Sequence, residues 1–215
     1  ETAGGDEKKL AIAMALCSDA ELDENDEAVG EPTECALVNY AARLGLKKGD
    51  WKQQQPRIGE ETFDSMRKRM SFDSSRKMMS TVHWAGTAFV QYTKGAPDEL
   101  IRRCTRIERK GIVTPMTQED REEILGWNKA MADRALRVLA AAYRPLTERP
   151  ASFDPDELEQ DLIFIGLAGM IDPIRDEVRD AIQECRAASI RPVMITGDHR
   201  DTAVAIATQL GILSD

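Results

Sequence analysis

Apolar positions in the first quarter of the chain recur at helical spacing. Residues 10–16 are almost continuously apolar and predict a short buried helix. A second helix is predicted from four apolar positions at i, i+3, i+4 and i+7: Leu37, Tyr40, Ala41 and Leu44. Pro32 suits the first turn of that helix, and Gly45 is a suitable stop after its last turn. The acidic segment 18–31 between the two helices predicts a solvated loop.

The middle of the chain mixes strand-like and helix-like patterns. Strands are predicted over residues 80–93 (in two arms), 138–143 and 162–170, with a polar connector at 145–155. Turns between strands are predicted near Gly86 and at Gly111. One helix is predicted to open at Ala96. A longer one opens at Thr117, where Asp120 completes a capping-box-like pattern, and it runs to residue 135.

The end of the chain changes character. Residues 175–188 predict an amphipathic helix, residues 193–195 a short apolar strand, and a further helix ends at Leu210 before Gly211. Alternating strands and helices indicate a parallel α/β unit. Because only two repeats are present, we expect a partial Rossmann-like segment. The predicted domains are therefore 1–171 and 172–215.

Composition narrows the classes of function. The formal net charge is −9, which disfavours nucleic acid and anionic membranes as partners. A local basic cluster interrupts this acidic background: Arg67, Lys68, Arg69, Arg76, Lys77 and Lys94. A basic cluster on an acidic protein suits a small polyanion better than a long one.

Cysteines, histidines and apolar runs indicate neither a metal site nor a membrane span. The four cysteines form no C-x-x-C pair, and the two histidines are isolated, so we expect no metal ligands and reduced thiols. The longest apolar run, residues 162–171, is about half of the ~20 residues that cross a bilayer. We therefore expect a buried strand there and a chain that is not membrane-inserted.

The centre of the chain carries the residue types that bind ATP. Residues 63–71 and 72–80 are a tandem near-copy, beginning with Phe63 and Phe72 respectively, and Lys94 lies just downstream. Adenine needs a flat apolar surface, and phosphates need cations. Neither a Walker A loop nor G-x-G-x-x-G is present. The residues alone leave two readings open, a phosphate site and a solvated basic surface.

Six short motifs then occur in a family order. They are Val-Gly-Glu-Pro-Thr-Glu at 29–34, Phe-Asp-Ser-Ser-Arg-Lys-Met-Met-Ser at 72–80, Lys-Gly-Ala-Pro-Asp-Glu-Leu at 94–100, Leu-Arg-Val-Leu-Ala at 136–140, Asp-Pro-Ile-Arg at 172–175 and Thr-Gly-Asp-His at 196–199. Together they resemble the nucleotide-binding domain of P-type cation-transporting ATPases, most closely the calcium-type branch, continuing into part of the phosphorylation domain. The resemblance covers nearly the whole chain. It implies an α/β (α+β) fold with an antiparallel sheet flanked by helices, plus the partial Rossmann-like segment.

The resemblance also implies roles in holding ATP. Phe72 would stack on adenine, with Phe63 as the competing copy, and Glu34 would hydrogen-bond near the base. Lys77 and Lys94 would line the pocket, with Gly95 allowing close approach. The fixed backbone after Lys94 is expected to direct that side chain toward a ligand. Further ligand contacts would come from Arg137 at the phosphates and from Asp172 and Arg175 at the hinge between domains. Three residues would help to arrange the transferred phosphoryl group and its Mg²⁺: Thr196, Gly197 and Asp198.

Two features depart from the family pattern. The Asp-Lys-Thr-Gly-Thr phosphorylation motif and the later Gly-Asp-Gly-x-Asn-Asp motif are both absent, as are transmembrane helices. We therefore expect a segment of the cytoplasmic part of an integral membrane pump. Its partners would be ATP or ADP and the remaining actuator, phosphorylation and transmembrane domains. The tandem copy is the second departure, since the family carries one such motif.

Alternatives remain open at this level. The parent would be a cation-transporting ATPase, and calcium is the expected ion, with sodium/potassium-type and proton-type pumps as alternatives. A non-nucleotide interaction domain that binds an acidic partner through the basic cluster is a second class. A soluble phosphatase-like hydrolase is a third, against which the absent nucleophile counts.

Overall fold

The computed structural model describes residues 4–61, 77–134, 136–171, 176–196 and 200–213. These residues fall into two compact units, the first within 1–122 and 139–168 and the second within 123–138 and 169–215. The predicted boundary between residues 171 and 172 stays a prediction. No helix in the described ranges has both the length and the apolar character needed to cross a bilayer.

The described residues form eight helices and nine strands. The helices are α1 Gly5–Leu16, α2 Pro32–Arg43, α3 Lys48–Gln54, α4 Pro97–Arg103, α5 Gln118–Ala132, α6 Pro155–Leu158, α7 Asp176–Ala187 and α8 Arg200–Gln209. The strands are β1 Glu21–Leu22, β2 Ala28–Val29, β3 Arg57–Glu61, β4 Met78–Trp84, β5 Phe89–Gly95, β6 Cys104–Arg109, β7 Ile112–Pro115, β8 Arg137–Leu146 and β9 Leu162–Met170.

Helix α2 forms where the sequence predicts it. The carboxylate of Glu31 accepts the backbone N–H groups of Thr33 (2.9 Å) and Glu34 (3.2 Å), which are unpaired at a helix start. Pro32 occupies the first helical position, and Gly45 adopts a φ of +76° just beyond the last turn. The predicted helix is confirmed, with both ends set by local chemistry.

The acidic segment before α2 is more ordered than predicted. Strands β1 and β2 pair in an antiparallel hairpin within it. Ala20 is buried in a cluster formed by α1 and α2, and Leu22 and Ala28 pack against that cluster. The prediction of a solvated loop is therefore wrong at these positions, because the few apolar residues of the segment find a core to cover.

A seven-stranded sheet forms the centre of the first unit, in the order β3-β4-β5-β8-β9-β6-β7. The pairs β3–β4, β4–β5, β5–β8 and β6–β7 are antiparallel, and β6–β9 is parallel. Its buried residues include Met79, Val82, Ala141 and Phe164. The predicted fold class, a mostly antiparallel sheet flanked by helices, is confirmed.

The predicted turns and caps also hold. Gly86 has a φ of +84° in the β4–β5 hairpin, and Lys110 and Gly111 have φ values of +53° and +76° between β6 and β7. At the start of α5, the Asp120 carboxylate accepts the Thr117 N–H (2.8 Å), and the Thr117 hydroxyl accepts the Asp120 N–H (3.1 Å). This reciprocal pair is a capping box.

The second unit differs from its prediction at one element. Helices α7 and α8 form as expected, but residues 193–195 are not a strand. Val193 and Ile195 are 75% and 94% exposed. A strand needs a hydrogen-bonded neighbour, and no described strand pairs with these residues. The predicted short apolar strand is therefore wrong for the chain as described.

Candidate functional site

Three of the predicted site residues lie together at one end of the sheet. Lys77 directly precedes β4, and Lys94 and Gly95 end β5. Because β4 and β5 are antiparallel, with Met78 opposite Gly95, the start of one strand adjoins the end of the other. The Ala96 N–H donates to the Lys77 carbonyl across this end (3.1 Å). Lys77 is exposed there and has a φ of +46°.

Gly95 is required by the packing of the two strands. A Cβ added at this position would overlap the Met78 side chain and lie 2.7 Å from the Lys77 carbonyl oxygen. The close approach that the sequence predicts at Gly95 is thus made by the protein's own backbone. Its role toward a nucleotide stays a prediction.

Lys94 and Glu34 form a largely buried ion pair between β5 and α2. The Lys94 ammonium lies 2.5 Å from Glu34 Oε1 and donates to Ser18 Oγ (2.9 Å). The Lys94 side chain is 1% exposed and that of Glu34 is 13% exposed. Buried charges of opposite sign are retained in proteins when they are paired in this way. In this structure the Lys94 ammonium is taken up by Glu34 and Ser18, and its predicted contact with a ligand stays a prediction.

Backbone groups hold the other Glu34 oxygen. Glu34 Oε2 accepts the N–H groups of Asp19 (2.6 Å) and Ala20 (3.1 Å). A carboxylate has about four acceptor positions. The described residues fill three of them in the contacts above, and Glu34 keeps a small exposed area at the surface. Glu34 is therefore a fixed carboxylate with capacity for one more donor.

Cys17 lies beside this pair and was not predicted as part of it. Its thiol contacts the carbonyl oxygens of Met79 (3.3 Å) and Tyr92 (3.5 Å). Burial raises the pKa of the Cys17 thiol, and the charge of Lys94 partly opposes that rise. A buried thiol with a raised pKa is unreactive, so Cys17 is a packing residue here.

The sequence prediction also omits Ser18, Lys48 and Arg57. Ser18 is part of the segment 16–20 whose backbone holds Glu34, and Lys48 and Arg57 both donate to carbonyl groups of that segment. The Lys48 ammonium donates to Ser18 O and Ala20 O, and Arg57 donates to Leu16 O and Ser18 O. Ser18 and Lys48 lie in no motif, and Arg57 lies in the family-like context Pro56-Arg-Ile58 before the first tandem copy, without a predicted role. Only the buried position of Lys48, which is unusual for lysine, distinguishes it, and that position is invisible before folding.

Two further predicted residues are described in the second unit. Arg137 is the first residue of β8 and is exposed, within the second unit. Thr196, also in the second unit, lines a largely apolar cleft of about 300 Å³ with Val193, Ala203 and Leu213. The other predicted positions lie outside the described residues: Phe63, Phe72, Asp172, Arg175, Gly197 and Asp198.

The same described ranges hold no group of three or more His, Cys, Asp or Glu side chains placed to bind one ion.

Comparison with known proteins identifies the family. The model of the family described as "P-type ATPase, cytoplasmic domain N" matches residues 6–177. The calcium-transporting ATPase 1 of Bacillus cereus is 46% identical over 97% of this chain, and that of Lactococcus lactis is 39% identical over 98%. The cation-transporting ATPase pma1 of Synechocystis is 37% identical over 97%.

The chain covers a similar share of the length of each relative. The chain spans 22% of the Bacillus cereus and Synechocystis proteins and 23% of the Lactococcus lactis protein. The family model covers most of the chain, and the identity extends over nearly all of it. The chain therefore belongs to the cytoplasmic domain N family of the P-type ATPases.

Proposed function

We propose that this chain binds the ATP of a P-type ATPase that couples ATP hydrolysis to cation transport, with calcium as the ion. Its membership of the domain N family supports nucleotide binding. The names of the Bacillus cereus and Lactococcus lactis relatives support calcium, and the Synechocystis name keeps other cations as the alternative. In this proposal the chain is a cytoplasmic segment, and its partners are the other domains of the pump.

The observation that carries the proposal is the Lys94–Glu34 pair at the end of β5. Glu34 has a remaining acceptor position and a small exposed area, so it suits a hydrogen-bond donor such as the amino group of adenine. Lys77 is exposed beside it and supplies positive charge. Arg137 and the segment 196–198 are assigned, as in the sequence prediction, to the phosphates and the transferred phosphoryl group. Magnesium enters with ATP, as the metal–nucleotide complex.

Titration calorimetry with ATP tests this assignment. Lys94→Met keeps much of the side-chain volume but removes the cation that fixes Glu34, and the proposed hydrogen bond from adenine to this charged carboxylate is worth roughly 1.5–3 kcal/mol. We expect the affinity for ATP to fall about tenfold or more. Lys47→Met is the matched control, because Lys47 pairs with Asp26 at the surface. Thermal melts define the temperature range in which each variant is folded.

The results of these titrations distinguish nucleotide binding at this site from the alternatives. If the wild-type chain binds no ATP but binds an acidic peptide, the interaction-domain alternative replaces the proposal. If Lys94→Met binds ATP with the same affinity as the wild type, the nucleotide site lies elsewhere.

The same titration decides which tandem copy stacks on adenine. We keep Phe72 as the stacking residue, and Phe63 as its rival. Stacking of a base on an aromatic ring is worth about 1–3 kcal/mol. Phe72→Ala should therefore weaken ATP binding measurably, whereas Phe63→Ala should not. The reverse pattern would move the assignments of Phe72 and Lys77 to Phe63 and Lys68.

A further inference from the structure

The loop 16–21, which connects the last residue of α1 to the first residue of β1, is held by a buried lysine. The Lys48 ammonium donates to the carbonyl oxygens of Ser18 (2.8 Å) and Ala20 (2.6 Å) and lies 3.2 Å from Glu21 Oε1. The Lys48 side chain is 2% exposed. Lysine is rarely buried to this degree without a specific set of partners.

A second cation reaches the same loop from a different element. Arg57, the first residue of β3, donates to Leu16 O (2.9 Å) and Ser18 O (2.6 Å) and pairs with Asp19 Oδ1 (2.7 Å). The two cations, one from α3 and one from an edge strand of the sheet, thus share the carbonyl of Ser18.

The other side of the loop faces the candidate site. Its N–H groups at Asp19 and Ala20 donate to Glu34 Oε2, and its hydroxyl at Ser18 accepts from Lys94. The carbonyl groups point to the two cations, and the donor groups point to the carboxylate. A change in the position of this loop therefore changes the position of Glu34.

Capping of α1 does not account for this arrangement. Leu16 is the last residue of α1, so a cation at its carbonyl is an ordinary C-terminal interaction. The carbonyls of Ser18 and Ala20 lie beyond the helix and do not belong to its end. Burial also lowers the pKa of Lys48, because an apolar environment disfavours the charged ammonium, and the charge of Glu21 partly offsets this effect. The contacts position the loop in addition to ending the helix.

We propose that Lys48 and Arg57 are positioning residues for the Glu34–Lys94 pair and through it set the affinity for the nucleotide. The effect on affinity rests on the proposed function, whereas the effect on the pair does not. Removing either cation lets the loop 16–21 shift, so that Glu34 loses its backbone donors and Lys94 becomes accessible.

The first test measures Lys94 directly, without a nucleotide. Reductive methylation followed by mass spectrometry reports how fast each lysine reacts. In the folded Lys48→Met variant, Lys94 should react about fivefold or more faster than in the wild type, as expected when a coupled neighbour is lost. Lys47→Met, one position earlier and paired with Asp26 at the surface, should leave the rate at Lys94 unchanged. Equal rates at Lys94 in the wild type and folded Lys48→Met would overturn the proposal.

The second test is a double-mutant cycle on ATP affinity. Lys48→Met alone should weaken binding about fivefold or more, and it should add little in the Glu34→Gln background, because both changes act through one carboxylate. Additive effects would contradict action through Glu34. If the wild type binds no ATP while Lys94 still becomes reactive in Lys48→Met, the proposed function fails and the positioning role stands.

A second variant covers the case in which Lys48→Met does not fold. Arg57 is partly exposed on an edge strand, with 22% of its side chain accessible, so Arg57→Gln removes the contacts with Leu16 and Ser18 at lower risk. We expect the same increase in Lys94 reactivity, smaller in size. An unchanged rate at Lys94 in folded Arg57→Gln would refute the proposal on its own.

Discussion

Single buried side chains set much of this protein's behaviour, and His83 is a clear case. Its ring is 1% exposed. Nδ1 lies 2.9 Å from the Gln55 carbonyl and therefore carries the proton, so that Nε2 accepts from the Thr81 hydroxyl (2.8 Å). Burial lowers the pKa of His83 to about 4, against the weaker opposing effect of the Gln55 hydrogen bond. The folded state therefore holds the neutral ring.

This histidine makes stability depend on pH. Between pH 6.5 and 4 the unfolded chain binds the proton and the folded chain does not, so stability is fully present above pH 6.5 and is lost as the pH falls toward 4. The loss attributable to His83 is about 3 kcal/mol in the free energy of unfolding. Urea unfolding at several pH values should show this loss in the wild type and a smaller one in His83→Gln. Parallel curves for the two proteins would contradict the assignment.

At the same scale, Lys94 shows where a motif and its environment differ. The Lys-Gly-Ala-Pro motif identifies the residue but not the direction of its side chain. The structure directs the ammonium inward, to Ser18 and Glu34. Lys94→Met should therefore lower stability as well as ATP affinity, because it leaves a partly buried carboxylate without its cation.

At the scale of elements, the β4–β5 hairpin depends on a glycine. In Gly95→Ala the new methyl group would meet Met78 and the Lys77 carbonyl, so we expect a loss of about 1–3 kcal/mol in the free energy of unfolding. Gly126→Ala is the matched control. Gly126 lies inside α5 with open space around it, and the same change there should stabilise the protein by up to about 1 kcal/mol.

Thermal and chemical denaturation of the two variants check this contrast. Equal stability of Gly95→Ala and the wild type would mean that the strands separate at little cost. ATP titration of folded Gly95→Ala would then show whether the strand ends also matter for the nucleotide.

At the scale of the whole molecule, we expect this chain to bind ATP without accepting its phosphoryl group. The chain contains no Asp-Lys-Thr-Gly-Thr motif, whose aspartate the sequence resemblance implies as the acceptor of the phosphoryl group. Incubation with radiolabelled ATP and magnesium, followed by acid quench, should give no acyl-phosphate on this chain. A hydroxylamine-sensitive label on the chain would contradict this expectation and would identify an acceptor elsewhere in it.

The sequence by itself determined those features that depend on neighbours along the chain. The ends of α2 follow from Glu31, Pro32 and Gly45, and the hairpin turns follow from glycines that adopt positive φ values. The order of six short motifs indicated the family, which the comparisons confirm. Each cap, turn and motif lies within a few neighbouring residues, so it does not depend on the fold.

The tertiary structure decided which contacts form between residues that are distant in the sequence. Lys94 and Glu34 are separated by 60 positions, and Lys94 and Ser18 by 76. Lys48 and Arg57 reach the loop 16–21 from two other elements, and no pattern marks them in advance. The apolar residues 193–195 were predicted as a strand, yet they remain exposed without a paired strand among the described residues. Burial and pairing belong to the assembled sheet and helices, because each needs a partner that the local sequence does not specify.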